Sequence, residues 1–152
     1  QTGWCVMDGK AIMFKGIDDN ERMLDIIDEM QTVERCAIEM VASYGMAVGR
    51  EVFETCVWIG RFKQVWIDNR GADTVQFVYR KDVKIYLCGS TKAKDTNIRQ
   101  AILDRFGPGK EAAIGKKQNP GPLWGVKGHE FAALAVALTW AETQPSAALA
   151  AR

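Results

Sequence analysis

Three ionisable side chains stand where the surrounding sequence is apolar, and their types suit metal chemistry. Glu39 interrupts the apolar run 36–41, whereas His129 and Glu130 open an apolar segment without further charge until Glu142. A buried carboxylate needs a cation, a polar partner or a raised pKa. Carboxylates with one imidazole suit Mg²⁺ or Mn²⁺, so these three residues are candidate ligands. The plainer alternatives are a solvated strand end for Glu39, a surface position for His129 and a helix-dipole partner for Glu130.

Charge is unevenly distributed along the 152 residues, although the net charge is only +1. Residues 1–60 carry five Lys and Arg against eleven Asp and Glu, and residues 61–127 carry fourteen against six. Such a basic block is either a solvated surface or a site for a polyanion beside carboxylate-bound metal.

The elements that must position these residues follow from hydrophobic periodicity and turn signals. An Asp8-Gly9 turn predicts a hairpin, and Asp18, Asp19 and Asn20 are capping candidates for the helix that follows. The predicted order is a β-hairpin over 4–16, a helix from 20 to 30, a strand over 35–40, a helix over 50–68, a strand over 74–79, a second β-rich run over 83–88, a helix over 96–106, a long, mobile, basic loop over 107–128 and a last helix from about 128.

This alternation predicts one α/β domain with a mixed sheet covered by helices on both faces. The length fits one domain, and 47% hydrophobic residues are typical of a globular chain. The longest uncharged apolar stretch has 11 residues, over 131–141, whereas a bilayer span needs about 20, so we expect no membrane insertion or secretion. Four separated cysteines without a CxxC pair predict reduced thiols in a cytosolic core.

Four segments in this order resemble the RuvC-type Holliday-junction resolvases, and their wording is closest to the phage-like branch. The resemblance covers nearly the whole chain, although each segment is short. The segments are Thr2-Gly3-Trp4, Ala37-Ile38-Glu39, Gly89-Ser90-Thr91-Lys92-Ala93-Lys94-Asp95 and the run from His129 to Thr139.

The resemblance implies an RNase H-like fold, a homodimer, and cutting of four-way DNA junctions with two Mg²⁺ or Mn²⁺ ions per active site. Glu39 matches the second family carboxylate, and His129 matches the first of a ligand pair at the start of the C-terminal helix. The next family ligand corresponds to Ala132, which cannot bind metal. Glu130 is the candidate substitute, although a step of one residue turns about 100° around a helix.

The same resemblance implies a set of DNA contacts and a setting. Lys92 and Lys94 resemble basic residues near the cleaved phosphate, and Tyr44 follows Glu39 where the family inserts an aromatic side chain into the junction. Other cations could follow the DNA backbone, namely Arg61, Lys63, Lys116 and Lys117. The expected location is the cytoplasm of a bacterial cell or of a phage-infected host.

The family's first catalytic Asp lies about seven residues before the position of Gly3, upstream of Gln1. We therefore expect residues 1–152 to form one RNase H-like nuclease domain whose opening strand is truncated before residue 1.

Two alternative functions remain. A Thr-Gly on a hairpin also opens the phosphate loop of sugar-kinase and actin-like ATPases, which need a second similar domain. A non-catalytic junction-binding protein would keep the fold and basic surface without a working metal cluster.

Overall fold

The computed structural model describes residues 1–144. Strands and helices alternate along this range, with one short 3₁₀ turn at Ala72–Thr74. The elements are β1 Thr2–Asp8, β2 Ala11–Asp18, α1 Asn20–Glu29, β3 Cys36–Met40, α2 Arg50–Arg70, β4 Val75–Tyr79, α3 Arg80–Cys88, α4 Asp95–Phe106, α5 Lys110–Ile114, β5 Gly115–Lys116, β6 Asn119–Pro120 and α6 His129–Thr143.

The opening hairpin has the predicted form. β1 and β2 pair antiparallel around a turn in which Gly9 has φ +57°, a conformation that glycine adopts without strain. The register shifts between Val6 and Met7, and Met13 is the extra residue of the resulting bulge. Beyond the hairpin, Asp19 caps α1 by accepting a hydrogen bond from the backbone N–H of Arg22.

β3 and β4 form a parallel pair in which Glu39 lies opposite Val78. Within residues 1–144, β1 pairs only with β2, and β3 pairs only with β4. The predicted single mixed sheet is therefore seen as two separate pairs. A third small sheet, β5 with β6, lies apart in sequence.

Helices pack on both faces of β1 and of the β3–β4 pair. Cys5 of β1 and Ala37 of β3 pack against the cluster that includes α3, α4 and α6. Trp4 and Ile38, whose side chains alternate with these, pack against α1 and α2. β1 and the β3–β4 pair thus contact the same two groups of helices, one on each face.

The strand predicted over residues 83–88 is wrong, because these residues belong to helix α3. Val83, Ile85 and Tyr86 favour a strand by their residue types. Val83, however, is fully buried in the cluster shared with α4 and α6, and the helix ends at Gly89 in the left-handed conformation. Tertiary packing here outweighs local propensity.

The open loop predicted over residues 107–128 is also wrong, because this segment contains α5 and the β5–β6 pair. Ala113 and Leu123 are buried in the same core cluster as α6. A Cβ at Gly115 would lie 2.3 Å from the backbone nitrogen of Gly121, so glycine permits the close approach of the two short strands. The glycines that indicated a loop instead serve tight packing.

All four cysteines are free thiols. Burial raises the pKa of the Cys5 thiol to about 12, with a further contribution from Glu130, and burial also raises the pKa of Cys36 to about 12. None of the helices within residues 1–144 is both long and apolar enough to cross a bilayer.

Candidate active site

Glu39 lies near the end of β3, on the sheet face covered by α6. Its side chain shares the face of Ala37, two residues earlier, which packs against the α6 cluster. The side chain is 35% exposed. Burial raises the pKa of the Glu39 carboxyl, Arg80 lowers it, and Asp95 raises it again; the net direction is upward. Glu39 is thus a partly desolvated carboxylate that remains accessible at one end of the strand.

Arg80 connects Glu39 to a second carboxylate. One guanidinium nitrogen lies 3.5 Å from Oε1 of Glu39, and the other donates a hydrogen bond to Asp95. Arg80 begins α3 directly after β4, and Asp95 begins α4. Because β3 and β4 are parallel, residues that follow them meet at the same edge. Sequence reasoning missed Arg80 and Asp95, and the only signal for Arg80 was its position directly after a predicted strand.

His129 begins α6 and lies close to β1. A Cβ at Gly3 would come within 2.4 Å of the carbonyl carbon and oxygen of His129, so only glycine permits this contact. Gly3 alternates with Trp4 and shares the α6 face with Cys5. Because its backbone meets Gly3 on the α6 side of β1, His129 begins α6 on the strand face that Glu39 shares, and His129 is exposed.

Glu130 has a different environment from the one expected. Its side chain is 5% exposed, its Oε2 accepts a hydrogen bond of 2.8 Å from the backbone N–H of Lys127, and Nζ of Lys15 lies 3.5 Å away. Lys15 also donates to the carbonyl of Gly125. These contacts tie the segment before α6 to β2. They give Glu130 a structural role and disfavour the metal-ligand role expected for it. The metal-ligand role of Glu130 stays a prediction.

Lys15→Met should therefore destabilise the fold, because it leaves the buried Glu130 carboxylate without its cation. We expect the free energy of unfolding to fall by about 2 kcal/mol, below the roughly 3–5 kcal/mol typical of breaking a fully buried pair, because Lys15 keeps some exposure. Urea unfolding at pH 7 measures this change. Lys15→Met/Glu130→Gln is the matched control and should recover most of the loss; no recovery in the double variant would contradict the pairing.

The described residues alone do not complete a metal site. Within residues 1–144, no group of three or more His, Cys, Asp or Glu side chains is arranged to hold a metal ion. Glu39 offers carboxylate oxygens and His129 offers an imidazole nitrogen. The side chain of Ala132 offers no donor atom. A two-cation site therefore needs at least one further carboxylate.

The predicted DNA-contacting residues fall into two groups. One group lies in exposed loops and on the short β5–β6 hairpin, and the other lies on α2. Lys92 and Lys94 lie in the exposed loop that leads to Asp95, beside Arg80. Tyr44 is 58% exposed, with φ +47°, in the loop after β3. Lys116 and Lys117 are exposed on the short β5–β6 hairpin.

Arg61 and Lys63 lie on α2, which covers the opposite face from α6. Arg61 pairs with Glu21 at 3.4 Å and stacks on Trp58, whereas Lys63 lies over Phe77. The structure does not bring these two cations together with Glu39. A direct contact with a phosphate near Glu39 is thus disfavoured for both.

No protein-family model matches the chain, and no sequence among the curated proteins matches it. Among solved structures, Thermus thermophilus RuvC superposes with a TM-score of 0.57 at 17% identity, covering 91% of this chain and 83% of that chain. The fold is RuvC-like. T. thermophilus RuvC in complex with Holliday junction substrate gives a TM-score of 0.55 at 18% identity, covering 91% and 84%.

Proposed function

We propose that this chain is a structure-selective endonuclease that resolves four-way DNA junctions by paired, metal-dependent nicks, similar to the phage-like branch of the RuvC-type enzymes. The observation that carries the proposal is the placement of Glu39 and His129 on one face of a RuvC-like fold. The likeness to a RuvC structure solved with a Holliday junction supports branched DNA as the substrate.

The strand pairs indicate where a further carboxylate would enter. β1 and β3 both contact α6, and within residues 1–144 neither pairs with the other. A strand hydrogen-bonded between them would join the two pairs into the predicted mixed sheet. A carboxylate carried on such a strand would lie beside Glu39. Two Mg²⁺ or Mn²⁺ ions bound there would activate water and stabilise the leaving oxygen.

The second copy needed for paired nicks has a candidate contact surface on α2. Ile59, Phe62 and Trp66 of this helix are buried, whereas Phe53 and Val57 on the opposite side are 62% and 63% exposed. An exposed apolar stripe on a helix that is already buried on its other side fits association with a second copy. Lys92 and Lys94 would hold the scissile strand, Tyr44 would stack at the junction centre, and the exposed hairpin lysines would contact backbone phosphates. The expected setting is the bacterial or phage-infected cytoplasm.

The alternative is a junction-binding protein without nuclease activity. The contacts of Glu130 and the lack of a ligand at Ala132 favour it. This alternative keeps the fold, the exposed lysines and Tyr44, and it needs no metal.

The test compares end-labelled four-way junctions with linear duplexes of the same arm sequences, in Mg²⁺, Mn²⁺ or EDTA. The protein is prepared both as residues 1–152 and from the first in-frame methionine of its natural coding sequence. Symmetric nicks near the junction centre, dependent on metal and absent from duplex, are expected. Junction binding without nicks in either form would support the binding protein, and neither binding nor nicking would overturn both functions.

A further inference from the structure

Arg99 lies on α4 near both parts of the candidate site. It follows Asp95 by four residues and therefore lies on the same side of the helix, one turn further on. Through a shared guanidinium, Asp95 is linked to Glu39 at the end of β3. The guanidinium carbon of Arg99 lies 4.8 Å from the ring centre of Phe131, two residues after His129. Arg99 is thus one helical turn from the group at the end of β3 and in contact with the first turn of α6.

The charge of Arg99 is not neutralised by a carboxylate of the described chain. Within residues 1–144, Arg99 forms no ion pair. Asp95 has the spacing of a usual helical partner, but it accepts a hydrogen bond from Arg80 instead. In the same range, most other arginines contact a carboxylate or backbone carbonyls, namely Arg22, Arg50, Arg61, Arg70, Arg80 and Arg105.

Phe131 orders this charged side chain. Its ring is only 8% exposed, in the core cluster that α4 and α6 share, so its position is fixed by packing. A cation over an aromatic ring is attracted by the negative face of the ring. Arg99 itself is exposed, so an anion from solvent can reach its N–H donors. A guanidinium ordered in this way suits the paired hydrogen bonds that a phosphate accepts.

We propose that Arg99 is a preordered phosphate contact for bound DNA, next to His129. The inference rests on the proposed function only in taking DNA as the ligand, and it applies equally to a nuclease and to a junction-binding protein. Lys94 precedes Arg99 by five residues, roughly 7.5 Å along a helix axis. That distance is about the rise of two nucleotides in one strand. One DNA strand would therefore follow α4 from the loop of Lys92 and Lys94 to Arg99.

Fluorescence anisotropy of a labelled four-way junction in EDTA tests this contact without metal and without nicking. Arg99→Met should weaken junction binding at least about fivefold, and should lower the slope of log affinity against log salt concentration by about one. The loss should be the same for two junctions with unrelated arm sequences, because a phosphate contact carries no sequence information. Arg99→Lys keeps the charge but not the guanidinium fork, so it should restore the slope and only part of the affinity.

Arg35→Met is the matched control. Arg35 is also exposed and without an ion pair within residues 1–144, but it directly precedes β3 and so lies at the strand end opposite Glu39. Its loss should change junction affinity by less than about twofold, because a remote surface charge is screened by salt. Equal losses in the Arg35 and Arg99 variants would indicate an effect of net charge alone and would overturn the proposal.

Phe131→Leu tests the ordering role of the ring. It should weaken junction binding less than Arg99→Met does, and it should add nothing further in the double variant, because both changes act on one contact. Circular dichroism and urea unfolding check that each variant is folded. A full additional loss in a folded double variant would contradict the ordering role of Phe131.

The outcomes separate this inference from the proposed function. Wild-type junction affinity in Arg99→Met would overturn the phosphate contact and leave the nuclease standing. A selective loss of binding in Arg99→Met, in a protein that nicks DNA with no metal, would retain the contact and remove the nuclease. A wild-type protein that binds no junction would overturn both.

Discussion

Glu39→Gln is expected to lower the rate of junction nicking by at least about 10³-fold, equivalent to about 4 kcal/mol in the activation free energy. The amide keeps the shape of the side chain but loses the negative charge that would hold the cations. Nicking is measured by single-turnover cleavage of a labelled junction with excess protein. Junction affinity should change by less than about threefold, because the variant leaves Lys92, Lys94 and Tyr44 unchanged.

The stability of Glu39→Gln provides the check against a merely structural role. The pKa of Glu39 is raised in the folded protein, so its ionised form at neutral pH is less favourable there than in the unfolded chain. Replacing it with a neutral amide should therefore not lower the free energy of unfolding at pH 7. Arg80 keeps its hydrogen bond to Asp95.

Glu34→Gln is the matched control, because Glu34 is an exposed carboxylate just before β3. It should nick at the wild-type rate. Full activity in Glu39→Gln, or a loss of nicking that follows a loss of folding, would contradict the role assigned to Glu39.

Gly3→Val is expected to lower the free energy of unfolding by about 3 kcal/mol or more. A Cβ at this position would lie 2.4 Å from the backbone of His129, and two backbone segments cannot yield as a flexible side chain can. Chemical denaturation of the purified variant measures the loss. Junction binding should weaken as well, because α6 would be pushed away from β1.

Gly60→Ala provides the contrast for Gly3→Val. Gly60 lies inside α2 with no neighbouring atom within 4 Å of an added Cβ. Alanine should raise helix stability there by up to about 1 kcal/mol. Equal effects of the two substitutions would show that the contact between Gly3 and α6 is not a tight one.

Local signals predicted much of the fold. The Asp8-Gly9 turn, the Asp19 cap and the long apolar periodicity before Arg70 each depend on a few neighbouring residues, and all three elements occur as predicted. The helix at Val83 and the folded segment around Leu123 could not be predicted in this way. Both are held by packing against α4 and α6, which the residue types around Val83 and Leu123 do not encode.

The candidate site shows the same division. Glu39 and His129 stand out in sequence because they border apolar runs. Lys15, Arg80 and Asp95 do not, because a charged residue next to a turn is ordinarily solvated. Lys15 is 115 residues away from its partner Glu130. Arg80 is 41 residues away from Glu39 and 15 residues away from Asp95. Pairing at such separations follows from strand order and helix packing, which single-residue patterns do not encode.

The buried anchors of the segment 107–128 bear on how its lysines would meet a polyanion. Ala113 and Leu123 fix the short hairpin that carries Lys116 and Lys117. A phosphate contact made from a backbone that is already ordered loses only side-chain freedom, whereas a lysine on an open loop would also lose backbone conformational entropy. Under the proposed function, this preorganisation would make the hairpin selective for the spacing of phosphates on a rigid DNA arm, and not for negative charge alone.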